Sequence, residues 1–184
     1  YFVRHGESVF NAKHLHQDAT PALTPKGEEQ AKTIAERVSV LPIDVIVSST
    51  MVRARQTADA ILQKVSKPIV YSDLFVENRN PSVVVGKSHQ DPFVVEVSKV
   101  IRENFEKETF KHSDEESPAE FRERGKKALA FLDARKEENI LVVTHGTFLK
   151  VLVAHVIFQD GFTGSEWRHL HNAFRTSNTG ITQF

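Results

Sequence analysis

The sequence contains no cysteine, one tryptophan and one methionine. The missing thiols exclude a disulfide framework, a thiolate metal site and a thiolate nucleophile. They leave the compartment open, because a cysteine-free chain folds in either redox environment. An excess of charge is missing too: 24 lysines and arginines meet 24 aspartates and glutamates, so 24 − 24 = 0. A broad basic face for nucleic acid is therefore not expected, since such binding rests on many cationic contacts to phosphates. No apolar run approaches the ~20 residues that span a bilayer, so no membrane association is expected.

What is present suits one globular domain. The 184 residues, 40% hydrophobic and 26% charged, are enough to close one sizeable core. The chain opens on Tyr1-Phe2-Val3 and closes on Ile181 to Phe184, both strand-like. The expectation is that both ends are trimmed, with room for an upstream targeting segment and a cytoplasmic location as the working assumption.

Four β-rich patches stand out, at 1–3, 44–47, 140–144 and 179–184, with a shorter one at 69–71. The patches at 44–47 and 140–143 are continuously apolar, as strands buried on both faces of a parallel sheet are. Between them run helical patterns. Thr24-Pro25 supplies a cap and a first-turn proline before Gly27 to Val38, and Met51 to Val65 carries Ala54, Ala58, Ile61 and Leu62 at helical spacing. Ser117-Pro118-Ala119-Glu120 is a capping box, which opens a helix with Phe121, Ala128, Leu129 and Leu132 on one stripe. Phe148 to Phe158 is a further apolar helix.

This alternation predicts an α/β fold with helices on both faces of the sheet. The more polar stretch from 75 to 117 reads as an insertion or lid, with one helix over Phe93 to Glu106. Its Lys111 to Glu116 segment reads as a solvated loop.

Three strand ends carry the chemistry. Val3-Arg4-His5-Gly6-Glu7-Ser8, with Asn11 beyond it, places an arginine and a histidine where a strand ends and a glycine turns the chain. In open α/β sheets ligands bind at the carboxyl ends of the strands. Val143-Thr144-His145-Gly146-Thr147 repeats the pattern, which brings two imidazoles to one sheet edge. Ser48-Ser49-Thr50-Met51-Val52-Arg53 follows a third buried strand and sets Arg53 in the first turn of a helix. Arg55 lies about 200° away around that helix and reads as a surface charge. Two arginines and two histidines at three strand ends suit phosphoryl transfer, because bidentate arginines can hold the oxygens of the transferring group.

Arg-His-Gly-Glu-Ser-x-x-Asn at 4–11, Leu-Thr-x-x-Gly-x-x-Gln-Ala at 23–31, Ser-Ser-x-x-x-Arg-Ala-x-Gln-Thr-Ala at 48–58 and Thr-His-Gly at 144–146 resemble the histidine phosphatase superfamily, also called phosphoglycerate mutase-like. The resemblance runs in order across nearly the whole chain. It implies a three-layer αβα sandwich around a mostly parallel sheet, with His5 as the phosphorylated nucleophile. Arg4, Arg53 and His145 would hold the phosphoryl oxygens, with Asn11 assisting. Leu74-Phe75-Val76-Glu77 matches the family's acid context, so Glu77 would protonate the leaving oxygen and then serve as base toward water. Glu7 would support its turn. No metal or cofactor is implied, and the partner would be a small phosphorylated substrate.

The acid-phosphatase and phytase branch resembles Arg-His-Gly-x-Arg-x-Pro with a later His-Asp, and this chain has neither. Glycolytic mutases usually carry Phe-Thr-Gly-Trp before Leu-Thr-x-x-Gly and an Arg-Arg pair in the lid. This chain has Leu15 to Pro21 in that stretch and no adjacent arginines anywhere. A phosphomonoester hydrolase is therefore favoured over a mutase-type phosphoryl transferase, and both over a non-catalytic phosphate-binding module. His14, His16, His169 and His171 form two His-x-His pairs without a zinc-enzyme spacing, and are assigned to surface or packing. Trp167 is assigned to packing. Arg79, Lys87 and His89 are the lid candidates for contact with the leaving group, and oligomeric state is not readable.

Overall fold

The computed structural model describes residues 1–159 and 161–184. In chain order the elements are β1 (Phe2–Arg4), α1 (Val9–Ala12), α2 (Pro25–Val38), β2 (Val45–Ser48), α3 (Val52–Leu62), β3 (Ile69–Tyr71), α4 (Pro92–Glu103), α5 (Pro118–Asp133), β4 (Ile140–Thr144), α6 (Gly146–Phe158), α7 (Gly164–Ala173) and β5 (Ile181–Thr182). Two single-turn 3-10 segments, Asp73–Phe75 and Ser82–Val84, lie between β3 and α4. The expected α/β architecture is present.

The sheet order is β3-β2-β4-β1-β5, parallel except for β5 at the edge. Side chains alternate between its two faces, and each face has its own apolar cluster. On one, Val3, Ile46, Leu141 and Val143 pack against Ile34 and Val38 of α2 and Ala54, Ala58 and Ile61 of α3. On the other, Phe2, Val47 and Val142 pack against Phe121 and Ala128 of α5, Phe148, Leu149 and Leu152 of α6, and Trp167 of α7. Trp167 is thus the packing anchor expected of it.

Local sequence explains the element starts. Thr24 caps α2 by accepting the Gly27 N–H, with Pro25 at the first helical position. Ser117 and Glu120 form the reciprocal capping box at α5. α7, which the sequence reading lacked, opens on another such box, Thr163 with Glu166. α3 runs Val52–Leu62 and α4 Pro92–Glu103, each slightly shorter than expected.

Within 75–117, α4 buries Val94 and Val97 against Val84 and Ile101 in a small cluster of its own. This segment touches the chain near the first strand end: Leu15 bridges Ser88, the His16 N–H donates to Lys87 O, and the His89 N–H donates to His14 O.

The expectation of a solvated loop at Lys111 to Glu116 is corrected at its end. Glu115 and Glu116 are buried, at 5% and 7% exposure. Glu115 accepts the His112 and Ser113 N–H groups. Glu116 forms a two-point pair with Arg124 of α5, Nε to Oε1 at 2.7 Å and Nη2 to Oε2 at 2.8 Å. A buried carboxylate needs such partners.

Candidate active site

The parallel register brings the three motifs to one edge. Phe2, Val3 and Arg4 lie beside Val142, Val143 and Thr144, and Ser48 lies beside Val143. The residues that leave these strands stay paired: the His5 N–H donates to Thr144 O and the Ser49 N–H to Val143 O, both at 3.0 Å. The first turn then folds tightly against α2. A Cβ on Gly27 would lie 2.0 Å from Glu7 O, and one on Gly6 would lie 2.5 Å from Gly27 O. Only glycine allows this approach of two backbones. Thr57 accepts the Gly6 N–H, Gln30 the Glu7 N–H, and the Asn178 amide donates to His5 O. Glu7 accepts from Thr24 Oγ1 and Lys26 Nζ, so it holds this turn to α2 and stays outside the pocket.

Arg4, His5, Asn11, Arg53 and Glu77 line one open pocket of about 590 Å³. His145 lies behind it, fully buried, with its ring centroid 5.0 Å from that of His5.

The hydrogen bonds assign the tautomer of His5. His5 Nδ1 lies 2.7 Å from Gly6 O, an acceptor only, so Nδ1 carries the proton. Nε2 is then the lone-pair nitrogen, and it accepts from Arg53 Nε at 3.2 Å. Burial, followed by the positive charges of Arg53 and Arg4, holds this imidazole well below its usual range, so it is neutral near pH 7. Burial, with Arg53, His5, Arg124 and Arg4, does the same to His145. His145 Nε2 lies 2.8 Å from Ser49 Oγ, whereas its Nδ1 is buried without a partner among the described residues.

Arg53 is 1% exposed, and burial lowers its guanidinium to about 10, against the opposing pull of Glu77 and Asp18. It remains cationic at neutral pH. Its Nη1 donates to Asp18 O and its Nη2 contacts Met51 Sδ. Arg4 donates through Nη1 to Thr176 O, while its Nε is buried and free among the described residues. Gly146 leaves room for that guanidinium, since a Cβ there would lie 3.3 Å from Arg4 Nε.

Glu77 sits against the N-terminus of α6. Its Oε1 accepts the Asn78 and Phe148 N–H groups, and its Oε2 accepts the Thr147 N–H at 3.0 Å. The chain leading to it is held by Arg124, which donates to the carbonyls of Leu74, Val76 and Glu77. Asn11 serves as the capping partner of Ser8 in addition to lining the pocket.

Among the lid candidates, His89 lines the pocket, whereas Arg79 and Lys87 do not. Arg55 lies over Tyr71 at 4.4 Å, away from the site. His16 and His171, assigned to surface or packing, both reach the pocket wall, and His171 also packs on Trp167. His14 and His169 are exposed. The sequence reading missed Lys150, Arg175, Ser49 and Arg124. A signal existed for Arg124: it stands one turn before Ala128, on the stripe that α5 turns inward.

Residues 1–184 match the histidine phosphatase superfamily (branch 1). A Schizosaccharomyces pombe protein named probable phosphatase C1687.21 is 30% identical over 191 residues, covering 100% of this chain and 84% of that protein. A Citrobacter koseri protein named probable phosphoglycerate mutase GpmB is 33% identical over 165 residues, covering 85% of this chain and 74% of its own length. In structure, the alpha-ribazole phosphatase of Shigella flexneri superposes with a TM-score of 0.78 at 23% identity, covering 96% of this chain and 85% of that one. A mycobacterial glucosyl-3-phosphoglycerate phosphatase gives 0.79 at 21%, with 97% and 86% covered. The chain belongs to the histidine phosphatase superfamily, whose relatives here carry phosphatase and phosphoglycerate mutase names. Among the described residues no helix is long and apolar enough to cross a membrane.

Proposed function

We propose that the protein is a phosphomonoester hydrolase that works through a phosphohistidine on His5 and needs no metal ion. The observation that carries this reading is the state of His5. Its proton is committed to Gly6 O, and its Nε2 lone pair, held by Arg53 Nε in the pocket that Arg4 and Arg53 make positive, is released for attack when that N–H turns to a phosphoryl oxygen. A neutral imidazole with a fixed lone pair is a competent nucleophile.

In the first step a bond forms between Nε2 and phosphorus, and the bond from phosphorus to the ester oxygen breaks. Arg4, Arg53, Asn11 and the free Nδ1–H of His145 hold the phosphoryl oxygens, whose charge rises in the transition state. Protonated Glu77 gives its proton to the departing oxygen, which leaves as the alcohol. In the second step water attacks phosphorus and yields a proton to the Glu77 carboxylate. The phosphorus–nitrogen bond breaks, returning His5 neutral and releasing phosphate. The arginines supply the positive charge that a metal would otherwise provide.

Hydrolysis of aryl phosphates in EDTA by wild type, His5→Ala and Glu77→Gln tests this reading. Loss of turnover in His5→Ala is expected. In Glu77→Gln the rate should fall most for poor leaving groups, by about 10²–10⁴-fold, because those need the proton. Retained activity in His5→Ala excludes the nucleophile, and an equal loss for good and poor leaving groups excludes Glu77 as acid. The second reading, a mutase-type transferase, is favoured by the GpmB-named relatives. It predicts phosphate returned to the organic product in place of free phosphate.

A further inference from the structure

The pocket holds more positive charge than a phosphoryl group uses. Arg4, Arg53, Lys150 and Arg175 line it with Glu77 as the one carboxylate, so with the histidines neutral the lining sums to 4 − 1 = +3 when Glu77 is ionised, and to +4 when it is protonated to act as the acid. A phosphomonoester brings about −1.5 to −2 near neutral pH. One positive charge or more remains after such a ligand is seated.

Lys150 and the exposed Arg175 supply the surplus. Arg4 and Arg53 stand at the strand ends beside His5, whereas Lys150 is a turn into α6 and Arg175 lies just past α7. Neither Lys150 nor Arg175 has a carboxylate partner among the described residues. Lys150 Nζ donates to His171 O at 2.6 Å, which fixes its ammonium in the wall and leaves two of its three donors open. Its charge is half-buried, and burial together with Arg4 and Arg175 lowers its affinity for the proton, against Glu77. A desolvated cation next to other cations costs stability unless an anion joins it.

We propose that Lys150 and Arg175 form a second anion subsite, which selects phosphomonoesters whose alcohol portion itself carries a carboxylate or a further phosphate. The phosphoryl end binds at Arg4, Arg53 and His5, and the second oxyanion is held by the Lys150 ammonium and the Arg175 guanidinium. His171 aligns the lysine through its carbonyl. This selection rests on the hydrolase reading above, and it adds the class of alcohol.

The test compares phenyl phosphate with 3-carboxyphenyl phosphate and with resorcinol bisphosphate. The meta position keeps the phenol's leaving ability close to that of phenol itself. Wild type should favour at least one anionic ester by about tenfold in kcat/KM, the usual yield of one charge-assisted hydrogen bond. The preferred ester tells carboxylate from phosphate. The ratio of anionic to neutral ester should fall about tenfold in Lys150→Met with Arg175→Gln, mainly through KM. It should also shrink as salt is raised. Using the ratio divides out any general effect of the substitutions on turnover. Equal use of the three esters by wild type overturns the proposal, as does a preference that survives both substitutions. The same ratio, read as affinities by calorimetry in His5→Ala, decides the subsite even if no ester is turned over. Failure of the hydrolase reading is seen separately, as absence of His5-dependent turnover of phenyl phosphate.

Discussion

Ser49 Oγ lies 2.8 Å from His145 Nε2, and it accepts the Met51 N–H at 3.3 Å. With that N–H bound, the hydroxyl is free to donate to the imidazole. His145 is neutral, because burial and nearby cations lower its pKa, and a hydroxyl that donates to Nε2 places the single proton on Nδ1. In that arrangement a buried serine sets the tautomer that leaves an N–H donor beside His5.

Ser49→Ala is therefore expected to lower kcat by about tenfold or more and to cost about 1–3 kcal/mol of stability, since the orienting hydrogen bond is removed and buried His145 Nε2 and the Met51 N–H lose their partner. Ser49→Thr keeps the hydroxyl and should restore much of the rate where its methyl fits. Equal rates for wild type and Ser49→Ala would show that His145 needs no orienter.

Arg124 and Glu116 hold the chain that carries Glu77. Their side chains are 13% and 2% exposed. Removing one partner of a buried pair costs about 3–5 kcal/mol, because the other charge stays behind unpaired. Arg124→Met should lower Tm sharply, and turnover of poor leaving groups should fall more than that of good ones, as the Leu74 to Glu77 carbonyls lose their donor. Unchanged leaving-group dependence in the folded variant would separate Arg124 from the placement of Glu77.

The turn after β1 depends on two glycines back to back. Gly27→Ala places a methyl 2.0 Å from Glu7 O, which is backbone and cannot rotate away. The expected cost is about 1–3 kcal/mol, with loss of activity because His5 moves with the turn. Gly161→Ala meets nothing within 4 Å and is the control, expected within about 0.5 kcal/mol of wild type in denaturant unfolding. Similar costs at both positions would refute the packing argument.

Two buried neutral imidazoles make stability depend on acid. The folded pKa values of His5 and His145 lie well below the usual 6.5. Below that value the unfolded chain binds protons that the folded chain refuses, so stability is full above it and falls as pH drops. Each ring contributes a slope of roughly 1 kcal/mol per pH unit within its window. Tm should fall from about pH 7 to about pH 5, with a shallower fall in His145→Gln. For the same reason, the acid limb of kcat/KM should lie below the usual histidine range. An acid limb at 6.5 would mean that His5 titrates as an exposed imidazole.

Much of the sheet could be read in advance for a simple reason. β2 and β4 are buried on both faces and therefore continuously apolar, and each of the strands β1, β2 and β4 ends in residues unlike its own interior. The placement of Arg4, His5, Arg53 and Glu77 in one pocket follows from parallel register, which the order of the motifs already implied. α7 escaped because Trp167 and Leu170 are nearly its only apolar residues, although Thr163 and Glu166 marked its start. Glu115 and Glu116 read as solvated because acidic runs usually are, and the partner of Glu116 stands eight positions on, in the next helix. Lys150 was hidden inside an apolar helix, and Arg175 reaches the site only because the chain returns past β1.

The central claim is most directly tested by trapping the phosphoenzyme. Wild type is mixed with a phosphorus-labelled aryl phosphate in EDTA, quenched in alkali, where phosphohistidine survives, and mapped by peptide mass. The account predicts one label, on His5, which is lost in acid, absent in His5→Ala and formed at least as fast as steady-state turnover. Turnover with no labelled histidine, or a label on another residue, would contradict it.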